Sequence, residues 1–486
     1  MNIIDSHRKI TPHGGLIPIL KKLKEFGIPG IIRSELGERV KQAKFGHDDI
    51  LYSLLITELC GGFRLKHISD LEEKIKFIPG LKIPSHDSLG YGLKKLAVDD
   101  QSGQSVTKSS PPQIVKTDYN DNTPLNRTLV KVTKRLGALK KGISYTMDID
   151  ATFIPTERRG AFRPNEKDTQ KKSSHSRIGF NPMVCSIGSL VTYVSMRNGD
   201  AGARFGIIET VQNSLSILNA QDIRVGRIVS DAAGYNKELF KMLDQRNIKF
   251  LTRFPYGKKM KGFNKALPEC ANWRKTEIYS AYNHWPCEVG DIYYKMYDTP
   301  FEKKTSPNYR VVAMRKPTDP KLKIIDKDEF DRKDRAREKM KLYEEKNLLK
   351  KLGKSYNDKH WKRVGDYVYK FFVTNDFETS CEDLILEYNN IRGNAERNFS
   401  ILKNDYGWRI PPFFNMKHNA VFLLAAAMTN NVYRGLSTCF KGKIKEIDLK
   451  ARLPKFRKFF INNICEILEN KMFDFFNMNS MFKKIM

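Results

Sequence analysis

Cysteine and histidine are scarce, and neither occurs in a ligand-like pair. The seven cysteines of the 486-residue chain are scattered and odd in number, with no Cys-x-x-Cys spacing. The nine histidines are dispersed and include no His-x-x-x-His pair. These patterns argue against a disulfide framework and against a structural zinc site, and they favour a reducing compartment.

Long apolar runs are also lacking. The run Val421–Met428 is less than half of the roughly 20 residues that a membrane-spanning helix needs. The start of the chain, Met1–Asp5, has neither the basic residues nor the apolar segment of a signal peptide. We therefore expect a soluble, cytoplasmic protein without a membrane partner.

Acidic residues are few relative to basic ones. The chain has 86 Lys and Arg against 55 Asp and Glu, a formal charge of +31 that is spread along its whole length. Such an excess suits a polyanionic partner, because each neutralised phosphate releases counterions. Hydrophobic residues make up 40% of the chain, which excludes a disordered protein and leaves enough residues for two to four domains of about 100–200 residues each.

Helical spacing dominates the first part of the chain. Apolar residues recur at helical intervals in residues 16–26 and 50–60. A segment rich in Ser, Gly and Pro, at about 100–124, predicts a linker. Helical spacing returns over 125–139 with a basic face of Arg127, Lys131, Lys134 and Arg135. Residues 1–139 are therefore predicted to form a helical N-terminal region.

From residue 143 the pattern changes to that of strands. Residues 145–153 alternate apolar and polar side chains, the period of a strand. Further strands are predicted over 177–187, 190–196, 225–229 and 249–254, with helices over 203–218 and 236–244 between the later ones. Three strands followed by α, β, α and β is the order of the RNase H-like core, so we predict an α/β fold with a mixed sheet.

The remaining segments complete the predicted organisation. Residues 140–255 form the first part of the core, and 256–370 form a β-rich insertion with a charged helix over 327–354. Residues 371–435 supply the last core strand and a helix, and 436–486 form a basic tail that either binds DNA or packs as an amphipathic helix.

Three acidic residues lie on or directly after predicted strands. The alternation over 145–153 places Asp148, Asp150 and Thr152 on one face of a strand. Carboxylates on a buried strand are costly unless a cation compensates them, although an edge strand with a wet face would also accommodate them. Asp231 directly follows an apolar run, at the end of a strand where α/β sheets place ligand groups and where ordinary turns also place Asp.

A helix near the C-terminus carries a third carboxylate. Arg392, Glu396 and Lys403, at offsets of four and seven, share one stripe beside the apolar face. There, Glu396 could meet the acids of the sheet while the cations meet phosphate. The alternative is an ordinary Arg–Glu pair on a solvated helix face.

Together these residues resemble the motifs of the DDE transposases of bacterial insertion sequences, in the branch with a Tyr-Arg-Glu-Lys signature helix. Asp150-Ala151-Thr152 matches the first motif, and Asp231, Ala233 and Tyr235 match the second. Arg392, Glu396 and Lys403 match the third with the family's spacing. Tyr388 departs from it, since it precedes Arg392 by four residues instead of three. The choice between Asp148 and Asp150 stays open, and the Asp-x-Thr match favours Asp150.

The resemblance implies an RNase H-like enzyme that binds terminal inverted repeats, cleaves the ends and transfers them to target DNA. Asp150, Asp231 and Glu396 would be the catalytic residues and would hold two Mg²⁺ or Mn²⁺ ions about 3.5–4 Å apart. Arg392, Lys403 and Tyr388 would contact DNA. The resemblance also implies recognition of the ends by residues 1–139 and a homodimer in the synaptic complex.

Three other functions remain open at this point. One is a metal-dependent nuclease on the same fold, and another is a catalytically inactive, element-derived DNA-binding protein. A basic RNA-binding protein is the third, although it would leave the three acids without a role and lacks an aromatic recognition motif.

Overall fold

The structure is a computed structural model. It describes residues 8–106, 114–156, 178–255, 272–279, 284–295, 307–317, 362–364, 367–439, 451–468 and 473–475. The chain divides into two compact units, of which the first comprises residues 1–230 and 391–486 and the second residues 231–390. The charged helix predicted over 327–354 lies outside the described residues.

Helices dominate the N-terminal part of the first unit, and a long pair lies near its C-terminus. The helices of both units within the described residues are α1 (Leu16–Glu25), α2 (Ile28–Leu36), α3 (His47–Leu59), α4 (His67–Ile75), α5 (His86–Lys94), α6 (Thr123–Arg135), α7 (Ile207–Asn219), α8 (Lys237–Gln245), α9 (Cys381–Asp405), α10 (Met416–Cys439) and α11 (Leu453–Phe456).

Strands occur in both units. They are β1 (Ile10–Thr11), β2 (Gln101–Val106), β3 (Ile114–Asn120), β4 (Ser144–Ala151), β5 (Ile154–Pro155), β6 (Gly179–Phe180), β7 (Met183–Ile187), β8 (Leu190–Arg197), β9 (Arg224–Ser230), β10 (Lys249–Arg253), β11 (Arg274–Tyr279), β12 (His284–Lys295), β13 (Asn308–Pro317), β14 (Lys362–Val364), β15 (Tyr367–Thr374), β16 (Cys465–Ile467) and β17 (Phe473–Phe475).

The sheet of the first unit has the strand order predicted for an RNase H-like core. Strands β4, β7 and β8 follow one another antiparallel, and β9 returns beside β4 in parallel after helix α7. Strand β8 is buried along its whole length, because helices α6, α7 and α10 all pack against it. The predicted α/β fold with a mixed sheet is confirmed.

The structure differs from the sequence prediction at the supposed linker of residues 100–124. Strands β2 and β3 pair as an antiparallel hairpin, and β3 continues the sheet beside β8. Polar residues take part in this packing: Thr117 and Asn120 are buried, and the Asn120 amide donates to the Val98 carbonyl at 3.0 Å. Hydrogen bonds between backbone groups hold this segment in the sheet. Because these bonds do not depend on the side chains, a Ser- and Gly-rich composition typical of a loop can still form strands.

The basic face predicted on α6 is directed largely at helix α2. The Arg127 Nε lies 2.6 Å from the Glu35 carboxylate, and Lys131 contacts the same carboxylate. Arg135 donates to the Phe26 carbonyl at 2.8 Å. Three of the four cations on this face therefore connect helices within the unit.

The C-terminal segment also packs into the first unit. Strand β16 pairs with β1, and β17 pairs with β16. A π-helical turn, Arg457–Ile461, follows α11, and its Phe460 and Ile461 side chains are fully buried. Of the two readings of this segment, the structure favours the packing one for the described residues 451–468.

Strands of the second unit form an antiparallel meander in the order β11, β12, β13, β15 and β10, with β14 also beside β15. The predicted strand over 367–373 is β15, and it is buried from Val368 to Thr374. Arg310, on β13, is buried and donates to the Thr379 carbonyl at 2.5 Å, just before α9 begins.

Among the helices in the described part of the chain, none is long and apolar enough to cross a membrane.

Candidate active site

The carboxyl end of β4 carries the first pair of acids. Asp148 pairs with Ser186 of β7 on one side and with Val229 of β9 on the other, so it lies inside the sheet and is only 5% exposed. Asp150 lies opposite Val184 of β7, one residue beyond the last paired position toward β9. Its side chain is more accessible, and the strand ends one residue later at Ala151. Asp150 is therefore the acid at the open end of the strand.

Arg392 on α9 bridges both acids. One guanidinium nitrogen (Nη1) lies 2.8 Å from Asp148 Oδ1, and the other (Nη2) lies 2.6 Å from Asp150 Oδ2. A cation between two neighbouring carboxylates offsets the cost of removing them from water. The structure thus brings the first and third sequence motifs together through this ion pair.

Lys403 holds α9 against the chain that follows β4. Its ammonium donates to the Phe153 carbonyl at 3.0 Å, three residues beyond Asp150. Burial lowers the pKa of Lys403, and the nearby Arg409 lowers it further. Between these contacts, Ala395 and Leu402 are buried, and the Asn398 amide donates to the Gly188 carbonyl at 2.6 Å. The helix is therefore fixed along the end of the strand.

Glu396 lies one helical turn after Arg392 and is exposed. The guanidinium of Arg392 is directed at β4, where it contacts Asp148, Asp150 and the Ile149 carbonyl. Along the helix, this exposed residue lies between Arg392 and Lys403, the two cations that reach β4 and the segment after it.

Asp231 belongs to the second unit and follows directly after β9. Its carboxylate accepts from the Ala233 amide at 2.8 Å and so caps the short 3₁₀ turn Ala232–Gly234. Its backbone carbonyl accepts from the Thr252 hydroxyl at 2.9 Å. The second motif is thus a rigid turn, in which Tyr235 packs on Phe254 with ring centroids 4.9 Å apart.

Tyr388 lies in the part of α9 assigned to the second unit. Only 7% of the residue is exposed, and its ring packs on Phe372 of β15 with centroids 4.7 Å apart. Its contact with DNA stays a prediction.

Arg197, at the end of β8, is a charged residue near the site that the sequence did not indicate. It is fully buried and donates to the carbonyls of Asn181 at 2.9 Å and Phe205 at 2.5 Å. Burial lowers the pKa of Arg197 to about 10, while Asp121 and Asp150 oppose this shift. In the sequence, Arg197 is a basic residue at the end of an apolar run, and such a residue looks the same whether it is buried or on the surface.

The donor chemistry at the end of β4 suits a hard divalent cation, since carboxylate oxygens are the ligands that Mg²⁺ and Mn²⁺ prefer. Within the described ranges, however, no group of three or more His, Cys, Asp or Glu side chains is spaced to hold a metal ion. Asp150 is instead compensated by Arg392.

The chain matches a family of known proteins over more than half of its length. The family described as "Transposase DDE domain" matches residues 142–432. A search of curated protein sequences finds no match. Among solved structures, the chain is similar to a piggyBac transposase in a synaptic complex with hairpin DNA, at 12% identity and a TM-score of 0.40, with 94% of this chain and 82% of that chain covered.

Proposed function

Because the chain belongs to the family of transposases with a DDE domain, we propose that it acts on the ends of its own mobile element. It binds the terminal inverted repeats, cleaves the DNA at these ends and transfers the cut strands to target DNA. The family places the protein among enzymes that cut and join DNA, and the excess of basic residues suits this polyanionic substrate.

The observation that carries the proposal is the contact of α9 with the end of β4. Arg392 and Lys403, which the family motif pairs with the catalytic Glu396, reach Asp150 and the Phe153 carbonyl. Two sequence motifs more than 240 residues apart thereby meet at one strand end. These contacts support the proposal because they hold α9, which carries Glu396, against the strand that carries Asp150.

Asp150, Asp231 and Glu396 are the proposed catalytic carboxylates. Chain connectivity supports the first two, because Ile149 and Ser230 are paired in parallel, Asp150 directly follows Ile149, and Asp231 directly follows Ser230, the last residue of β9. These three residues would hold two Mg²⁺ or Mn²⁺ ions. When bound, the ions would supply activation of the attacking hydroxyl and stabilisation of the leaving oxygen.

Arg392 and Lys403 are the proposed phosphate contacts. The guanidinium of Arg392 presents two parallel N–H donors, a geometry that suits phosphate as well as carboxylate. Lys403 would act as a point charge, and Tyr388 would contribute at most the small exposed part of its side chain. We further propose that residues 1–139 recognise the ends and that two copies of the chain join them in the synaptic complex.

The proposal is tested by cleavage of a labelled duplex that carries the element's own flanking ends. Wild type, Asp150→Asn, Asp231→Asn and Glu396→Gln are compared in Mg²⁺, in Mn²⁺ and in EDTA. We expect nicking at the element boundary that needs the metal and is lost in all three variants while duplex binding survives. Asp222→Asn is the matched control, because this exposed acid pairs with the exposed Lys141 and its loss should leave cleavage unchanged.

Other outcomes point to the alternatives. Binding without cleavage by the wild type in either metal identifies an inactive DNA-binding protein. Metal-dependent cutting without preference for the element boundary identifies a nuclease. Cutting that persists in the three variants shows that the active site lies elsewhere.

A further inference from the structure

The two acids of β4 differ in their surroundings although one guanidinium contacts both. Asp148 is enclosed by paired strands on both sides, whereas Asp150 lies past the last position paired with β9. The Asp148 side chain is 6% exposed and that of Asp150 is 16% exposed. An ionised carboxylate as buried as Asp148 is stabilised by a neighbouring cation, because an uncompensated buried charge loses its hydration without replacement.

The guanidinium divides its donors between the two acids. Nη1 donates to Asp148 at 2.8 Å and is 3.5 Å from the Ile149 carbonyl, while Nη2 donates to Asp150 at 2.6 Å. An Arg side chain has five N–H donors in a planar fork, so it can release one acceptor and keep the other. The Nη2 side can therefore change partner while the Nη1 side remains bound to Asp148.

We propose that Asp148 is the positioning residue of Arg392 and takes no part in metal binding. It holds the guanidinium through Nη1, so that Nη2 stands at the open end of β4, beside Asp150. The effect of this contact on catalysis rests on the proposed function. The contact of Asp148 with Arg392 is itself a property of the protein without DNA or metal. It also assigns separate roles to two acids that the sequence could not separate.

The anchoring is tested by phenylglyoxal modification of the full chain, read by peptide mass spectrometry. Asp148→Asn removes the buried partner, so we expect the modification rate of Arg392 to rise by about tenfold, the population change that one charge-assisted hydrogen bond carries. Asp150→Asn should raise it by far less. An equal or larger rise in Asp150→Asn overturns the proposal.

Two arginines serve as internal controls in the same samples. Arg197 is fully buried, so it reacts only if a variant unfolds. Arg409 is exposed and should react at one rate in all variants. If Asp148→Asn unfolds the chain, Asp148→Ser replaces it in the modification experiment. A second measurement then uses Arg392→Lys, which keeps the charge but cannot bridge both acids, and compares its thermal unfolding midpoint with and without Asp148→Ser. Additive effects of the two changes on the unfolding midpoint contradict the anchoring.

Metal ligation is tested separately, by a spectroscopic signature. A cysteine that replaces a metal ligand gives a thiolate-to-metal charge-transfer band with Co²⁺, because the thiolate coordinates the ion directly. We expect the band for Asp150→Cys and not for Asp148→Cys, after subtraction of the wild type with its seven native cysteines. A band in Asp148→Cys overturns the proposal.

The catalytic consequence follows from a double-mutant cycle on end cleavage. Asp148→Asn and Arg392→Gln should each slow cleavage by about 10²-fold, and the double variant should match the slower single variant within about twofold. Multiplying effects would show that Asp148 does not act through Arg392. If the wild type does not cleave the ends, the proposed function fails, while the modification rates still decide whether Asp148 anchors Arg392.

Discussion

At the scale of single residues, the candidate site shows what spacing along the chain can and cannot predict. The offsets of Arg392, Glu396 and Lys403 correctly place them on one helix face. The partners of Arg392 lie 244 and 242 residues away, and no local pattern specifies such contacts. Asp148 illustrates the same limit. Strand alternation places Asp148 and Asp150 on the same face, but Asp148 is more buried because both neighbouring strands pair with it.

A second buried acid, Glu58 on α3, has no counterpart in the sequence analysis. Its carboxylate is fully buried, and burial raises its pKa well above the ordinary value, with only the Thr429 hydroxyl opposing this shift. Tyr406, whose hydroxyl is also buried, lies nearby: burial raises its pKa, and a charge on Glu58 would raise it further. The protein therefore favours the neutral form of Glu58.

Glu58 makes stability depend on pH. Folding raises the pKa of Glu58, so the folded protein binds more protons than the unfolded chain does. The contribution of Glu58 to the free energy of unfolding is therefore fully present below the pKa of an unfolded Glu, which is about 4.3. We expect the free energy of unfolding to fall by about 1.4 kcal/mol per pH unit as the pH rises from there toward the pKa of Glu58 in the folded protein. Glu58→Gln, which keeps the shape and removes the titration, should reduce this slope in urea unfolding between pH 5 and 8. A slope equal to that of the exposed control Glu73→Gln would contradict the prediction.

At the scale of elements, strands and helices of the core were predictable because they are long and periodic. The observed β4, β8, β9 and β10 lie within two residues of their predicted bounds. The hairpin β2–β3 was wrongly predicted as a linker, because an edge hairpin buries few apolar side chains and leaves no hydrophobic period. The pairing of its backbone, not its composition, defines it.

The start of α9 depends on a buried cation of β13. Arg310 is 8% exposed, lies 2.5 Å from the Asp291 carboxylate and donates to the carbonyls of Asp376 and Thr379. These bonds hold the segment from which the signature helix begins. Asp376, in turn, accepts from Thr379 and Lys249, which hold its pKa well below the usual range even though burial opposes this shift.

We expect Arg310→Met to lower the free energy of unfolding by about 3 kcal/mol, because it leaves buried carbonyls and Asp291 without their charged partner. Arg274→Met is the matched control. Arg274 pairs with Glu382 on the same helix at 2.9 Å, but its side chain is 52% exposed, so its loss should cost less than about 1 kcal/mol. Urea unfolding of both variants checks this. Equal losses would show that burial of Arg310 does not matter.

At the scale of the whole molecule, the N-terminal and C-terminal segments of the chain pack against each other within the first unit. Strand β1 pairs with β16, and Arg457 donates to the Leu59 carbonyl at 2.9 Å. Composition alone described residues 436–486 as a basic tail. Two of its aromatic residues, Phe456 and Phe460, are instead part of the hydrophobic core, and such packing is defined only by the three-dimensional fold.

The two ends approach each other closely at Gly15, just before α1. The amide of Gly15 donates to the Ile461 carbonyl at 3.2 Å, and an added Cβ would lie 2.0 Å from the Phe460 carbonyl oxygen. No side chain can rotate away to relieve this overlap, because the opposing atoms belong to the backbone. A methyl group here must therefore push the C-terminal segment off α1.

Gly15→Ala should consequently lower the free energy of unfolding by about 2–3 kcal/mol, the upper range for overpacking, and increase proteolysis of the C-terminal segment. Gly30→Ala is the matched control: Gly30 lies in α2 with nothing within 4 Å of an added Cβ, so alanine should stabilise the protein by about 0.5–1 kcal/mol. Both changes add the same methyl group to the same unit. Opposite signs in urea unfolding, with limited proteolysis confined to Gly15→Ala, would establish that closure of the ends stabilises this unit. Equal effects of the two changes would refute it.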